Sequence, residues 1–306
     1  MARFSPLAVR SEINHVTNVI SLPIANWDHP CSTADQDHAI RAFEQGSVLF
    51  FPQLRFSIQE VEGRLLTPNI AWKSKNVSLD SSSGTLRGSS SGEAELGLLR
   101  SMMQRFATSS RVLLCNLFPR YKAGLLQART SFRPVEIAER PTSWRKDDTR
   151  LHIDSFPSSP IQGKRILRVF SNINPHGQSR TWRVGESFEN VARRYLPSLP
   201  APVWGVSQML RLLKITKGRR SAYDHFMLQI HDRMKGDLVY QSEVDHHACE
   251  FHAGSTWIAF TDQVSHAAMT GQYVLEQTFH LPVTSMQDPS QAPLRILERL
   301  TGRRLV

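Results

Sequence analysis

The sequence has few cysteines, no long apolar run and fewer acidic than basic residues. Its three cysteines, Cys31, Cys115 and Cys249, are widely separated and form no CxxC pair, which argues against a disulfide framework and a structural zinc site. No stretch approaches the roughly 18 uninterrupted apolar residues of a transmembrane helix. The first residues also lack the apolar core of a signal peptide. We therefore expect a cytoplasmic protein that does not span a membrane.

The excess of basic residues indicates an anionic partner. Thirty-seven Lys and Arg residues against 27 Asp and Glu residues give a formal net charge of +10 at pH 7, which favours nucleic acid, phospholipid headgroups or acidic glycans. No aromatic stacking motif or recognised nucleic-acid module is present, so nucleic acid is not expected. Residues 209–220, with five cations, and residues 294–304 combine apolar and basic side chains as membrane-surface helices do, although ordinary surface helices share this pattern.

The first half of the chain contains predicted helices and one buried strand. Helical spacing over residues 35–46 precedes the apolar run Val48–Phe51. Residues 81–92 are mostly Ser and Gly, a composition that favours a mobile loop. An amphipathic helix is predicted over residues 96–106. These elements are expected to pack beside the part of the chain that follows.

After residue 125 the pattern becomes β-rich. Strands are predicted at residues 165–173, 255–261 and 272–281, each bounded by Gly or Pro. Helical segments at residues 187–195 and 202–215 interrupt them. Because strands and helices do not alternate regularly, a doubly wound parallel sheet is disfavoured.

His152 and Asp154 form an HxD pattern that suits a metal site. In a strand, residues i and i+2 point to the same face, so an imidazole and a carboxylate would reach one ion. His266, which opens the strand before the Gly271 turn, supplies a third ligand. Two histidines and one carboxylate leave adjacent coordination positions open, as in non-haem Fe(II) oxygenases. HxD alone is a common sequence, so the pattern by itself does not require a metal.

Six segments in a fixed order make the interpretation specific: TSFRP (130–134), RLHIDSFPSSP (150–160), LRVFSNINP (167–175), SRTWRVGESF (179–188), YDHFMLQIHDRMK (223–235) and GSTWIAFTDQVSHAAMTGQYVLEQTFHLP (254–282). Together they resemble the Kdo hydroxylases. These Fe(II)/2-oxoglutarate-dependent dioxygenases hydroxylate carbon 3 of 3-deoxy-D-manno-oct-2-ulosonic acid (Kdo) in the lipid A inner core of Gram-negative bacteria. The resemblance spans roughly residues 35–285.

The resemblance implies a fold and a metal site. His152, Asp154 and His266 would hold Fe(II), with 2-oxoglutarate as cosubstrate and O2 as co-reactant. The implied fold is mixed and β-rich: a double-stranded β-helix (jelly-roll or cupin-like) core with flanking α-helices. A single dioxygenase domain, 1–306, would comprise an N-terminal extension (1–34), flanking helices and a loop (35–124), the core (125–285) with a helical insertion (187–235), and a basic C-terminal helix (286–306).

The distal carboxylate of 2-oxoglutarate requires a cation, preferably a guanidinium. Many oxygenases of the superfamily carry this cation on the strand after the second His, but residues 266–283 contain no Arg or Lys, and Glu276 lies where the cation is expected. The anchor must therefore come from another strand. The candidate cosubstrate contacts are Arg168, Arg180, Trp182, Thr278 and His280. The candidate substrate contacts are Arg133, which is also an alternative anchor, and His231 and Lys235, for which a helix-end role is the alternative.

The implied activity converts Kdo in Kdo-lipid A to Ko (D-glycero-D-talo-oct-2-ulosonic acid), with succinate and CO2 as co-products. Because this lipid carries phosphates and acyl chains, the implied location is peripheral, at the anionic inner-membrane surface. Two alternatives remain open. One is an Fe(II)/2-oxoglutarate oxygenase that acts on another anionic substrate such as nucleic acid. The other is a non-catalytic jelly-roll protein that binds glycans.

Overall fold

The computed structural model describes residues 19–71, 74–138, 142–202 and 205–306, so most of the predicted N-terminal extension lies outside the described residues. The strands are β1 (Val19–Ser21), β2 (Val48–Phe51), β3 (Val77–Leu79), β4 (Leu86–Arg87), β5 (Leu126–Arg133), β6 (Arg165–Asn172), β7 (Arg180–Val184), β8 (His247–Phe251), β9 (Thr256–Phe260), β10 (His266–Thr270) and β11 (Val274–Leu281). The α-helices are α1 (Thr33–Glu44), α2 (Glu93–Leu117), α3 (Phe188–Tyr195), α4 (Val206–Leu212), α5 (Ala222–Gly236), α6 (Leu238–Glu243) and α7 (Pro293–Thr301).

The strands form two sheets. Eight lie in the order β1-β2-β9-β6-β11-β5-β3-β4, and three in the order β10-β7-β8. Neighbouring strands are antiparallel except for β1 and β2, which are parallel. The predicted mixed, β-rich class with flanking helices is confirmed. The large sheet also takes strands β1 to β4 from the chain before residue 125.

Aromatic rings join the two sheets. Phe170 and Trp257 project from the large sheet, and Trp182 and Phe251 from the small one. The Phe251 and Trp257 rings stack with centroids 4.1 Å apart, and Phe170 meets Trp182 edge-on at 5.0 Å. Such pairs add to the free energy of area burial and restrict ring orientation. The small sheet is thereby held over the β6–β11 region.

Helices α1 and α2 pack against the large sheet and bury their apolar faces. Met102 and Phe106 of α2 are fully buried, as helical spacing over residues 96–106 predicted. The Ser- and Gly-rich stretch at 81–92 was predicted as a loop, but it contains β4, which pairs with β3. No helix in the described ranges is both long and apolar enough to cross a bilayer.

Along the chain, helices α3 to α6 are inserted between β7 and β8, two strands that pair with each other in the small sheet. Val184, the last residue of β7, pairs with His247, the first residue of β8. The chain therefore leaves the sheet and returns to it at the same point. Helix α5 packs Phe226 and Ile230 into the main core, whereas α4 exposes much of its surface.

Candidate active site

His152, Asp154 and His266 converge at the edge of the small sheet. One potential ligand atom from each lies within 4.8 Å of the others. The segment around His152 was predicted as a strand, but only His152 forms a β-bridge, with His266. The His152 amide donates to the His266 carbonyl at 3.0 Å, and the reverse bond is 2.9 Å. Asp154 is placed by its own amide, which donates to the Thr261 carbonyl at 2.7 Å.

Both histidines direct a free Nε2 atom toward the place where the three side chains converge. The Nδ1 of His152 lies 2.8 Å from the Arg150 carbonyl, and the Nδ1 of His266 lies 2.8 Å from the Val264 carbonyl. A carbonyl can only accept, so each Nδ1 carries the proton and each Nε2 keeps its lone pair. Burial, and for His152 also the neighbouring His266, lowers the pKa of both rings. Neutral imidazoles with free Nε2 atoms are suited to a metal ion.

Asp154 is held in its ionised form. Burial opposes its ionisation, but the Arg168 guanidinium, 3.1 Å away, and His266 outweigh burial and hold the pKa of the carboxyl below its usual value. The Asp154 Oδ2 atom is buried and has no well-aligned hydrogen bond. An ionised carboxylate beside two neutral imidazoles is a donor set that fits Fe(II).

Glu276 explains why the strand after His266 lacks a cation. Its carboxylate draws in two guanidinium groups from the neighbouring strands: Arg133 on β5 at 2.7 Å and Arg168 on β6 at 3.3 Å. Arg168 therefore bridges Glu276 and Asp154. The cations are therefore supplied by β5 and β6, the strands on either side of β11, and the Glu276 carboxylate holds both guanidinium groups by ion pairs.

Arg180 is a buried cation without an ion pair among the described residues. Only 4% of its surface is exposed, and its side chain donates to the Gly271 carbonyl at 2.7 Å. Burial and the nearby Arg133 cation lower the pKa of Arg180 to about 9. The Nε atom of Arg180 and the Nε1 atom of Trp182 are buried donors without an acceptor. Together they form an environment suited to a carboxylate.

A cavity of about 190 Å³ connects these groups. The predicted residues that line it are His152, Asp154, His266, Arg133, Arg168, Arg180 and Trp182. Thr278 faces Arg168 across the β11–β6 pair, but neither it nor His280 is among the lining residues. The His280 ring instead meets Phe156 edge-on at 6.3 Å.

His231 and Lys235 reach the site from α5. The His231 ring meets the His152 ring edge-on at 5.6 Å, and its Nδ1 lies 3.0 Å from the Asp232 carboxylate. Lys235 is buried, and its amine donates to the Arg145 carbonyl at 3.2 Å. His231 thus lies beside the metal ligands, whereas Lys235 supports the wall behind them.

Besides Phe170, Ala268 and Glu276, sequence reasoning missed an ion pair in the cavity lining. Lys75 and Asp148 form an ion pair of 2.8 Å, and Asp148 also lies 3.9 Å from Arg133. Lys75 precedes β3, and no motif links it to the ligand segment. Asp148 precedes His152 by four positions, and that proximity was the only available signal.

Comparisons with known proteins agree with this site. A family model for 3-deoxy-D-manno-oct-2-ulosonic acid (Kdo) hydroxylase matches residues 26–304. The chain is similar to the crystal structure of the Kdo hydroxylase KdoO, a non-heme Fe(II) alphaketoglutarate dependent dioxygenase, in complex with alphaketoglutarate and Fe(III). The identity is 49%, with 95% of this chain and 98% of that chain covered and a TM-score of 0.92. KdoO structures with cobalt(II) and with succinate and Fe(III) match at the same identity and coverage, with TM-scores of 0.92 and 0.91. A comparison with curated proteins finds no match.

Proposed function

The chain belongs to the Kdo hydroxylase family, and from this premise we propose that it hydroxylates carbon 3 of Kdo in Kdo-lipid A to give Ko, with succinate and CO2 as co-products. Its class, an Fe(II)/2-oxoglutarate-dependent dioxygenase, agrees with the sequence prediction. The observation that carries the proposal is a two-histidine, one-carboxylate cluster that adjoins a buried guanidinium without a carboxylate partner.

We propose that His152, Asp154 and His266 hold the iron. Bound with 2-oxoglutarate, Fe(II) supplies the activation of O2 that hydroxylation requires. The backbone pairing of the two histidines fixes their separation before any metal binds. Arg168 orients the Asp154 carboxylate, so that one oxygen is held by the guanidinium while the other faces the histidines.

We propose that Arg180 anchors 2-oxoglutarate, with Trp182 donating through Nε1. Both donors are buried and lack acceptors among the described residues, so a carboxylate between them would satisfy two polar groups at once. The other candidates already have carboxylate partners: Arg168 pairs with Asp154 and Glu276, and Arg133 pairs with Glu276. Thr278 and His280 do not line the cavity, so they would affect the cosubstrate only through neighbouring residues, in the case of Thr278 through Arg168 on the paired strand.

Kdo is itself a carboxylate, so its recognition requires further cations. We assign this role to Arg133, because the single negative charge of Glu276 is shared between Arg133 and Arg168 and leaves positive charge for a second carboxylate. His231, whose ring meets that of His152, and the buried Lys235 would support it. These groups would hold the target carbon beside the metal site and exclude water. The two packed sheets are proposed to be the double-stranded β-helix implied by the resemblance. Because the lipid substrate is embedded in a bilayer, we propose that the enzyme works peripherally at the cytoplasmic surface of the inner membrane.

Measuring succinate release tests the function. Purified protein with Fe(II), 2-oxoglutarate and O2 should release succinate in proportion to added Kdo-lipid A, and the Kdo should gain the mass of one oxygen atom. Single-stranded nucleic acid in place of the lipid should give no stimulation. Stimulation by nucleic acid alone would favour the alternative oxygenase. Glycan binding without succinate would favour a binding protein.

A further inference from the structure

A short stretch between α3 and α5 exposes an unusual amount of apolar surface. Met209, Leu212, Leu213 and Ile215 are 53%, 82%, 60% and 55% exposed. They account for four of the ten exposed large apolar side chains found in the described residues. Single exposed apolar residues need no explanation, but a cluster of this kind marks an interaction surface. We call residues 209–220 the amphipathic segment.

Cations alternate with these apolar side chains. Arg211, Lys214, Lys217 and Arg219 are exposed, and none forms an ion pair with a described acidic residue. Exposed cations without an ion pair also occur elsewhere among the described residues, as at Arg41 and Lys122, but here four of them lie among exposed apolar side chains. Unneutralised cations beside exposed apolar side chains match the two layers of an anionic bilayer, in which headgroup charge overlies hydrocarbon.

The C-terminal basic stretch provides an internal contrast. Residues 294–304 have a similar sequence pattern, but Leu294, Ile296 and Leu297 of α7 are buried in the core. Arg295 and Arg299 form ion pairs with Glu298 and Glu189. The apolar face of α7 is therefore occupied by the core. The same basic and apolar sequence pattern is buried in α7 but exposed at residues 209–215.

The amphipathic segment is bonded directly to the loop that leaves the metal ligand Asp154. The Arg220 guanidinium donates to the Pro157 carbonyl at 2.8 Å, and the Lys217 amide donates to the Ser158 carbonyl at 2.9 Å. In the same loop, the Phe156 ring lies 5.7 Å from the Arg168 guanidinium carbon. The amphipathic segment is therefore joined by hydrogen bonds to the loop that follows Asp154.

A cavity of about 790 Å³ continues the basic surface between α4 and the chain terminus. Arg219, Arg220 and Arg304 line it, together with His225, and no acidic residue is found among the described lining residues. Leu210 and Val306 supply apolar wall. Its composition repeats that of the amphipathic segment and suits the phosphate and upper chain of a lipid.

We propose that the amphipathic segment is the docking surface of the enzyme for a bilayer rich in anionic phospholipid, with the apolar side chains of residues 209–215 entering the interface. The inference rests on the proposed function for its biological setting, because a membrane-embedded substrate must be met at the bilayer. The physical prediction, binding to anionic vesicles through these residues, can be measured without turnover.

Two multiple variants separate the contributions of charge and apolar contact. The charge variant is R211Q/K214Q/K217Q/R219Q, and its control is R41Q/R87Q/K122Q/R129Q, which removes four exposed cations elsewhere. The apolar variant is L212S/L213S, and its control is V61S/L126S, two side chains that are also exposed. All eight charge substitutions and all four apolar ones lie on the surface, so the fold should survive in each protein.

Cosedimentation with phosphatidylcholine vesicles that contain phosphatidylglycerol is the measurement. Each cation near the surface should contribute about fivefold to binding, so the charge variant should lose on the order of several hundredfold and its control far less. The apolar variant should also bind more weakly than its control. Wild-type binding should fall in vesicles of pure phosphatidylcholine and at high salt, where the Debye length is about 3 Å. Equal losses in variant and control, or no wild-type binding to the anionic vesicles, would overturn the proposal.

Turnover of two substrates distinguishes this proposal from the proposed function. The charge variant should turn over embedded Kdo-lipid A slowly, but release succinate at the wild-type rate from a soluble, deacylated Kdo oligosaccharide. Equal losses on both substrates would place the cluster in sugar binding and refute docking. If the wild-type protein bound vesicles but released no succinate with either substrate, the proposed function would fail while the docking surface would stand.

Discussion

Replacing Arg180 with methionine should stabilise the protein in the absence of cosubstrate while severely weakening 2-oxoglutarate binding. The reason is the burial of a guanidinium that has no anionic partner among the described residues. Methionine has a similar length and no charge, so it removes the cation while filling most of the space. A single substitution thus changes stability and cosubstrate affinity in opposite directions.

The magnitude follows from the pKa of Arg180. A pKa of about 9, well below that of a free guanidinium, corresponds to on the order of 5 kcal/mol against the charged form. The group stays protonated at pH 7 in both the folded and unfolded chain, so this cost is fully present there and would be relieved only as the pH rises through about 9. Loss of the hydrogen bond to Gly271 subtracts about 1–3 kcal/mol. A net gain of about 2 kcal/mol remains, or roughly 4 °C in Tm.

Cosubstrate affinity should move the other way. Removing the partner of a desolvated carboxylate costs about 2–5 kcal/mol, which weakens binding by roughly 30-fold to several thousandfold. At a concentration about 100 times its Kd, 2-oxoglutarate stabilises a protein by about 2.7 kcal/mol. The wild-type protein should show this stabilisation as a rise in Tm, and the variant should keep at most about 0.9 kcal/mol of it at the same concentration.

Differential scanning fluorimetry with Fe(II) present and O2 excluded measures both effects. Arg183→Met is the matched control, because Arg183 lies on the same strand and donates instead to the Thr149 carbonyl at 2.9 Å. It should leave the 2-oxoglutarate response unchanged. An Arg180 variant that responds to 2-oxoglutarate like the wild type would refute the assignment and move the anchor to Arg168 or Arg133.

Three further predictions concern the metal ligands and their support. His152→Ala, Asp154→Ala and His266→Ala should each abolish turnover without changing the circular dichroism spectrum, and wild-type activity in any of them would remove that residue from the site. Because burial lowers the pKa of both histidines, the unfolded chain takes up protons below about pH 6.5 that the folded chain does not. The free energy of unfolding of the metal-free protein should therefore decline on acidification by up to about 1.4 kcal/mol per pH unit for each histidine, and a Tm that does not change from pH 6.5 to 5.5 would contradict this. Glu276→Gln should lower that free energy by about 3–5 kcal/mol in urea titrations. The control Glu189→Gln, at a partly exposed carboxylate, should lower it by less than about 1 kcal/mol, and equal midpoints would exclude the proposed pairing.

The clustering of His152, Asp154 and His266 could be predicted because its signals are local. The spacing of His152 and Asp154 and the position of His266 before a Gly turn are visible in a few residues each. The strand predicted around His152 was wrong in extent, since only a bridge forms. The ligand geometry survives because hydrogen bonds to His266 and Thr261 hold this short extended segment as a strand would.

The role of Glu276 could not be predicted, because ion pairs depend on strand order. Its partner Arg133 is 143 positions away and is brought alongside only because β5 pairs with β11. For the same reason, sequence reasoning could not choose between Arg168 and Arg180. The two arginines differ in their neighbours. Arg168 is paired with Asp154 and Glu276, whereas Arg180 has no ion pair among the described residues.

The pairing of Val184 with His247 has an evolutionary consequence. Because the chain leaves and rejoins the small sheet at adjacent residues, the helices between them form an excursion whose length does not alter the register of β7 and β8. Within it, α5 is constrained by core packing, but α4 is not. Mutations in α4 can therefore change this surface without disturbing His266 on the strand that neighbours β7. The fold thus allows the sequence of α4 to change while the residues around His266 stay the same.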